Sequence, residues 1–157
     1  MYIGFGYDVH RLAPDRAFVL GGVTIPHGHG LLGHSDADVL VHAIMDAILG
    51  AMGEPDIGHQ FPNTDPRYRG ISSMALLGMV MEKMGAAGYR VKNLDSTVVA
   101  EEPKLAPHLE AMRQSLASTL DLPAQRVSIK ATTNEGMGFV GTREGVAAFA
   151  VVLLEEV

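Results

Sequence analysis

Cysteine is absent from the chain, so no disulfide or thiolate can staple the fold or bind a metal. Any metal must therefore be held by histidine, aspartate or glutamate. Tryptophan is also missing, and aromatics make up only 6% of residues. Packing then falls to small aliphatic side chains and nine methionines. Basic residues are outnumbered, 12 against 18 acidic, for a net charge of −6. That balance argues against a nonspecific nucleic-acid binder, which needs a basic surface to neutralise phosphates. It leaves room for a small phosphorylated ligand held by a few local donors. No run of about 20 apolar residues exists, so no membrane-spanning helix is expected. The N-terminal MYIGFGYDVH reads directly as folded structure rather than as a signal peptide, and a cytoplasmic location is the expectation. There is no internal repeat, low-complexity tract or linker.

What is present suffices for a real core. At 157 residues and 47% hydrophobic, the chain is expected to form one domain, 1–157. YIGFGYDVH predicts a first strand. AFVLGGVTIP, split by Gly21-Gly22, predicts a hairpin. HGHGLLGHSD reads as a Gly/His-rich loop. A helix is expected from about Asp36 to Met52, capped by Ser35 or Asp36. Residues 53–70 read as a long functional loop. A second helix follows, ended by Gly85 or Gly88. YRVKNLDSTVVA predicts a strand, and a third helix enters through Pro103 or Pro107. RVSIKATT predicts another strand, NEGMGFVGTREG a glycine-rich turn region, and VAAFAVVLLEEV a last strand, with a short helix as the alternative. Interspersed helices and strands with a hairpin imply an α+β two-layer sandwich.

Two features suggest metal chemistry. Asp8 and His10 lie two apart, so a strand presents both on one face. In VLVHAIMDAILGAM, His42 and Asp46 are the only ionisable side chains of an otherwise apolar helix. Asp38, one turn earlier, completes a stripe at i, i+4 and i+8. Buried charges are costly unless paired or metal-bound. A lone histidine is more often a core residue bonded to a backbone carbonyl, but these acids and the Asp8/His10 pair favour a metal site. Asp8, His10 and His42 together give three ligands with an open fourth position, the pattern of catalytic zinc. Asp38 or Asp46 could accept from the far ring N–H of a ligand histidine; alternatively, His42 orients on a main-chain carbonyl. His27-Gly28-His29 is a competing pair, but its glycine-rich setting reads as a solvated turn.

Five segments in register, GYDVHRL, GHSDADVLVHAIMDAILGA, DIGHQFPNTDPRYRG, AEEPKLAPH and KATTNEGMGFVG, resemble the 2-C-methyl-D-erythritol 2,4-cyclodiphosphate synthase family from about residue 2 to the C-terminus. The resemblance implies a homotrimer with a mixed sheet, helices on one face and active sites between subunits. It implies a lyase of the non-mevalonate isoprenoid pathway. Its cytidine diphosphate substrate is 4-diphosphocytidyl-2-C-methyl-D-erythritol 2-phosphate, whose 2-phosphate displaces CMP and closes a cyclic diphosphate. It implies zinc or another divalent transition metal on Asp8, His10 and His42, of which Asp8 and His10 also meet the substrate. Mg²⁺ or Mn²⁺ would sit with the substrate phosphates and Glu135. His34 and Thr133 would stabilise the transition state, with Ser35 beside His34 at the phosphate. Asp56, Ile57 and Gly58 would grip the erythritol hydroxyls. Phe61, Pro62, Asn63, Thr64 and Asp65 would complete that mobile loop. Ala100, Glu101, Glu102, Pro103, Lys104, Leu105 and Ala106 would hold the cytidine, and Thr132, Thr133, Asn134 and Glu135 the phosphates. Phe139 and Thr142 fall at further substrate positions. The arginine expected at 142 arrives one residue late, as Arg143, and in a strand such a shift reverses the face. A cavity on the trimer axis that takes an isoprenoid-like ligand is also implied, with Phe139, Arg143 and Glu144 as its lining.

By residue chemistry alone, most of these positions have ordinary readings: His34 as a loop histidine, Asp56 after Pro55 as a turn residue, and Glu101, Glu102 and Pro103 as a helix first turn. Two other functions fit a metal site: a phosphodiesterase or pyrophosphatase that delivers water, and a noncatalytic trimeric binding module. The absence of cysteine and of G-x-S-x-G suits a reaction in which the substrate supplies its own nucleophile.

Overall fold

The computed structural model describes all 157 residues, Met1–Val157. Its strands are β1 (Tyr2–Pro14), β2 (Phe18–Leu20), β3 (Val23–Ile25), β4 (His29–Leu32), β5 (Tyr89–Val99), β6 (Val127–Thr132) and β7 (Gly145–Glu156). Its helices are α1 (Val39–Ala51), α2 (Ile57–Gln60), α3 (Ser73–Ala86), α4 (Leu109–Thr119) and α5 (Gly138–Gly141). Five strands form one sheet in the order β4-β1-β7-β5-β6. Only β5 and β6 run parallel, so the sheet is mixed. β2 and β3 make a separate hairpin, and its turn residues Gly21 and Gly22 both adopt positive φ, 56° and 75°, as a tight two-residue turn requires.

The sheet has one covered face. Even-numbered residues of β1 and β7 point inward, where Val146, Ala148, Ala150, Val152 and Leu154 are buried. α1 is apolar on nearly every side and fills the space between the sheet and α3. Burying side chains such as Leu40, Ile44 and Ile48 contributes roughly 1.5–3 kcal/mol each. The close seat of α1 on β1 depends on Gly4 and Gly6. A Cβ on Gly4 would lie 1.8 Å from the Ala47 carbonyl oxygen, and one on Gly6 1.8 Å from that of Ala43. Gly4, Gly6, Asp8 and His10 share one face of β1. The glycines let the helix backbone touch the strand, and the next two positions then meet His42.

Several expectations are corrected. The α1 cap is Asp38, whose side chain accepts from Val41 N, and not Ser35 or Asp36. Those two make local turn bonds instead, Ser35 Oγ accepting from Ala37 N and Asp36 Oδ1 from Asp38 N. The segment around Gly30 is the edge strand β4, paired with the end of β1. Residues 53–70 contain α2 and a short 3₁₀ turn at Pro66–Tyr68. As expected, the third helix is entered through Pro107, in a 3₁₀ turn at Ala106–His108, and Gly88 at φ 82° follows the end of the second. Residues 139–142 belong to the helical turn α5 and its end. The one-residue arginine shift therefore falls just past the end of a helical turn, where Arg143 adopts φ 62°, and the strand-face argument does not apply there. The 145–156 segment is a strand, as first read, and not the alternative helix. No helix is long and apolar enough to cross a membrane.

Candidate active site

Register places the relevant ends together. His10 lies opposite Val146 on β7, and Val99 opposite Ala147. Val99 in turn pairs with Thr132 of β6. The end of β1, the end of β5 and the end of β6 therefore share one rim of the sheet.

On the β1 side, Asp8 Oδ2 lies 2.9 Å from His10 Nε2 and 3.0 Å from His42 Nδ1. The two ring nitrogens are 3.0 Å apart. These three residues form the candidate metal-binding group of the chain. His10 Nδ1 donates to the Leu32 carbonyl at 2.9 Å, which leaves its Nε2 as a lone pair toward the cluster. Burial acts to raise the Asp8 carboxyl, but the two histidines outweigh it and bring it down to about 2. For His10, burial acts to lower the imidazole, yet the Asp8 carboxylate and the Leu32 carbonyl prevail and raise it. An ionised oxygen and a bare nitrogen at this spacing repel unless a proton or a metal ion sits between them. A tetrahedral ion bound at about 2.0–2.2 Å needs donors about 3.3 Å apart, a small opening of the observed triangle. The donor set, one carboxylate and two imidazoles, therefore fits a divalent transition ion. His27 and His29 lie outside this group. His27 is not solvated: its ring meets Phe18 edge-on, and its Nε2 is buried 3.8 Å from Glu102 Oε1.

The other two acids of the α1 stripe do not reach a ligand histidine. Asp38 is fully buried and accepts from Gly21 N, Gly22 N and Val41 N at 2.8–3.1 Å. Burial pushes its carboxyl up to about 6 against those three donors. Asp46 accepts from Ile57 N at 2.9 Å and so ties α1 to the start of α2. Burial, with the nearby charges of Asp56 and Asp8, raises it. His42 does not orient on a carbonyl either. Its Nε2 meets the hydroxyls of Ser73 at 2.9 Å and Ser35 at 3.2 Å.

A cavity of about 370 Å³ opens over this cluster. Of the expected positions it brings together Asp8, His10, His34, Ser35, His42, Ile57, Gly58, Phe61 and Asn63. Asp56 caps α2, accepting from His59 N and His59 Nδ1, which lower its carboxyl. His34 Nε2 donates to the Asp65 carbonyl at 3.2 Å, and the Asp65 side chain is clasped by Arg67, which lowers it. Pro62 and Thr64 stand exposed on the same loop. Sequence reasoning missed Gly33, Tyr68 and Leu76 in the lining. It also missed Arg16, whose guanidinium donates to the carbonyls of Leu31, Gly33 and Ser35 and shapes the wall. An isolated arginine in a turn gives no such signal.

A second cavity, about 210 Å³, shares no lining residue with the first. Ala100, Glu101, Pro103, Lys104, Leu105, Ala106, Thr132 and Thr133 line it. Glu101 Oε1 accepts from Asn134 N at 2.9 Å and Gly136 N at 3.3 Å, joining the two expected segments. Thr133 Oγ1 accepts from Glu135 N. Glu135 itself is exposed, with φ 53°. Glu102, Asn134, Glu135, Phe139 and Thr142 fall outside the lining of both cavities. Glu102 instead faces Arg143 at 3.5 Å, and the Thr142 hydroxyl donates to the Gly138 carbonyl.

Known proteins match this arrangement over its whole length. A protein of Desulforamulus reducens, 2-C-methyl-D-erythritol 2,4-cyclodiphosphate synthase, is 58% identical over 156 residues, 99% of each chain. The bifunctional IspDF of Campylobacter jejuni superposes with a TM-score of 0.95 at 42% identity, covering 99% of this chain and 42% of that one. A CDP-bound 2C-methyl-D-erythritol-2,4-cyclodiphosphate synthase superposes at 0.90 with 40% identity, covering 98% of this chain and 99% of that one. The profile of the YgbB family matches residues 1–155, and the chain belongs to that family.

Proposed function

We propose that this chain converts 4-diphosphocytidyl-2-C-methyl-D-erythritol 2-phosphate to 2-C-methyl-D-erythritol 2,4-cyclodiphosphate and CMP, in the non-mevalonate isoprenoid pathway. The observation that carries this reading is the Asp8/His10/His42 cluster at the floor of a cavity, on the same sheet rim as a second pocket. The substrate's own 2-phosphate oxygen bonds to the β-phosphorus, the bond from that phosphorus to the bridging oxygen breaks, and CMP departs with it. No side-chain nucleophile is needed, and the protein's task is positioning and charge neutralisation.

Zinc or another transition ion held by Asp8, His10 and His42, with Mg²⁺ or Mn²⁺ beside Glu135, supplies Lewis-acid charge neutralisation to the diphosphate when bound. His34 and Ser35 present donors to phosphate at the loop before α1. Asp56 accepts from the erythritol hydroxyls, and the amides of Ile57 and Gly58 stand beside it. Phe61 to Asp65 cover the cavity. Ala100 to Ala106 enclose the cytosine, with Lys104 toward phosphate. The hydroxyls of Thr132 and Thr133 bond the diphosphate, Thr133 donating where charge develops.

Each chain carries two half-sites that share no residue, and this supports assembly as a homotrimer with sites between subunits. So does the outer face of the sheet, where Ile3, Phe5, Tyr7, Val9, Phe149 and Val151 stand exposed side by side. An apolar patch of this kind marks an interface.

Mass-resolved product analysis tests the reaction. With substrate, Zn²⁺ and Mg²⁺, the expected products are CMP and a cyclic diphosphate, lost on adding EDTA. CMP with a hydrated open-chain product would make the chain a hydrolase. Metal bound without turnover would make it a binding module.

A further inference from the structure

We propose that Lys83 is a positioning residue that holds α2 in the wall of the metal cavity, so that Asp56, Ile57 and Gly58 meet the erythritol end of the substrate in a fixed place. This rests on the reading of those three residues as the erythritol grip. The argument starts from what α2 lacks. It is a single turn of four residues, and none of them is buried. Helices shorter than about 12 residues are marginal in water on their own, so α2 stands only by its attachments. Yet Ile57 and Gly58 line the cavity, and so does Phe61, the residue that follows the turn.

The attachments come from three sides. Half-buried Ile57 and Phe61 pack against the core. Asp46 of α1 accepts from Ile57 N, which fixes the first residue of the turn. Lys83, in the last turn of α3, fixes both flanks. Its Nζ donates to Glu54 Oε2 at 2.7 Å and to Gln60 Oε1 at 3.1 Å. Glu54 lies just before the turn and Gln60 is its last residue, so one ammonium spans the whole segment. The Gln60 amide has one favourable orientation here. Its oxygen faces the ammonium, and its Nε2 donates to the Pro55 carbonyl at 3.3 Å. A reversed amide would set N–H against ammonium and oxygen against carbonyl. Lys83, Gln60 and Pro55 thereby close the segment on itself.

Two plainer roles compete. Lys83 and Glu54 form an ion pair with side chains 40% and 37% exposed, and pairs at such exposure add little stability. Lys83 also sits where a cation favours the dipole of α3. Neither of these roles bears on where α2 stands. A tether of small energy still counts in a site, because groups that meet a substrate must be held within about 0.5 Å of their working place. Asp46 is the poorer probe of this idea, because it lies one helical turn from His42.

Amide hydrogen exchange and steady-state kinetics of the full chain, with Zn²⁺ and Mg²⁺ present, separate these roles. The amides of His59, Gln60 and Phe61 bond back to Asp56 and Ile57. In Lys83→Met they should exchange roughly 3- to 10-fold faster, with the α1 amides unchanged. KM for 4-diphosphocytidyl-2-C-methyl-D-erythritol 2-phosphate should rise by a similar factor while kcat and Zn²⁺ content hold. CDP has no erythritol and should bind Lys83→Met as tightly as wild type. Lys83→Arg keeps donors for both acceptors and should recover most of the loss. Glu54→Ala leaves the charge at the end of α3 in place, so it should show part of the same change if the tether, and not the dipole, is at work. Unchanged α2 exchange in Lys83→Met would overturn the proposal. So would an unchanged KM in Lys83→Met where Asp56→Ala raises it, or a CDP affinity that falls as far as KM rises. An unchanged KM in Asp56→Ala would sink the erythritol reading instead, and the α2 exchange rates alone would then decide the tether.

Discussion

Asp38 and Asp8 are the carboxyls that the fold displaces furthest, in opposite directions, and both leave a mark on stability. The Asp38 carboxyl rises from 3.8 to about 6 on burial. The folded chain then binds more protons than the unfolded one in that window, so the Asp38 contribution is full below 3.8 and is lost as pH rises through about 6. Asp8 falls from 3.8 to about 2, so its contribution is present above 3.8 and lost as pH falls through about 2. Urea unfolding of the metal-free protein should therefore lose up to about 3 kcal/mol from Asp38 across its window. The slope should shrink in Asp38→Asn, which cannot titrate. An equal slope in the variant would remove Asp38 as its source. For His42→Ala, metal content should collapse while the circular dichroism spectrum of the fold persists. Stoichiometric zinc retained in that variant would cancel the ligand assignment. The sequence shows that Asp38, His42 and Asp46 lie on one side of a helix, but not that each has a different partner. Eight residues of helix span roughly 12 Å, so one stripe reaches the β2–β3 hairpin, the metal cluster and α2 in turn. Ser73 was invisible for a similar reason: it comes from α3, 31 residues along the chain from His42.

At the scale of elements, the contact of β1 with α1 governs the site. Gly6→Ala drives a methyl into the Ala43 carbonyl and should destabilise the chain by about 3 kcal/mol or more, with a loss of Zn²⁺ affinity as β1 and α1 part. Gly50→Ala, on the exposed side of α1 with open space beside it, should instead stabilise by roughly 0.5–1 kcal/mol. Thermal unfolding of both variants checks the contrast. Comparable destabilisation by the two would mean that the close approach is not what holds β1 on α1. Long, strongly patterned elements were legible in the sequence: β1, α1, α3, β5, β6 and β7. Short ones were legible only where a turn marked them, as Gly21-Gly22 marks the β2–β3 hairpin. β4 hides in a glycine-rich run because its edge position and its contact with the Ala17 carbonyl, 2.2 Å from a Cβ built on Gly30, select glycine over strand formers. α5 hides because a single turn between glycines carries no period.

At the scale of the whole molecule, the account requires more than one chain. The metal cluster and the Ala100–Ala106 pocket occupy one rim of the sheet without sharing a residue. The patch from Ile3 to Val9 and Phe149 to Val151 has no cover within the chain. Neither fact was open to sequence reading without the family resemblance, since alternation in β1 shows two faces but not what lies against the second. The central claim is that a metal half-site on one subunit works with the Thr133 half-site of its neighbour. Co-expression of His42→Ala with Thr133→Ala, each inactive alone, tests it most directly. If sites form between subunits, mixed trimers should regain roughly a quarter of wild-type cyclic diphosphate formation, the statistical share of sites with both intact halves. If each site lies within one chain, every site in the mixture stays defective. No recovery above the separate variants would then contradict the account.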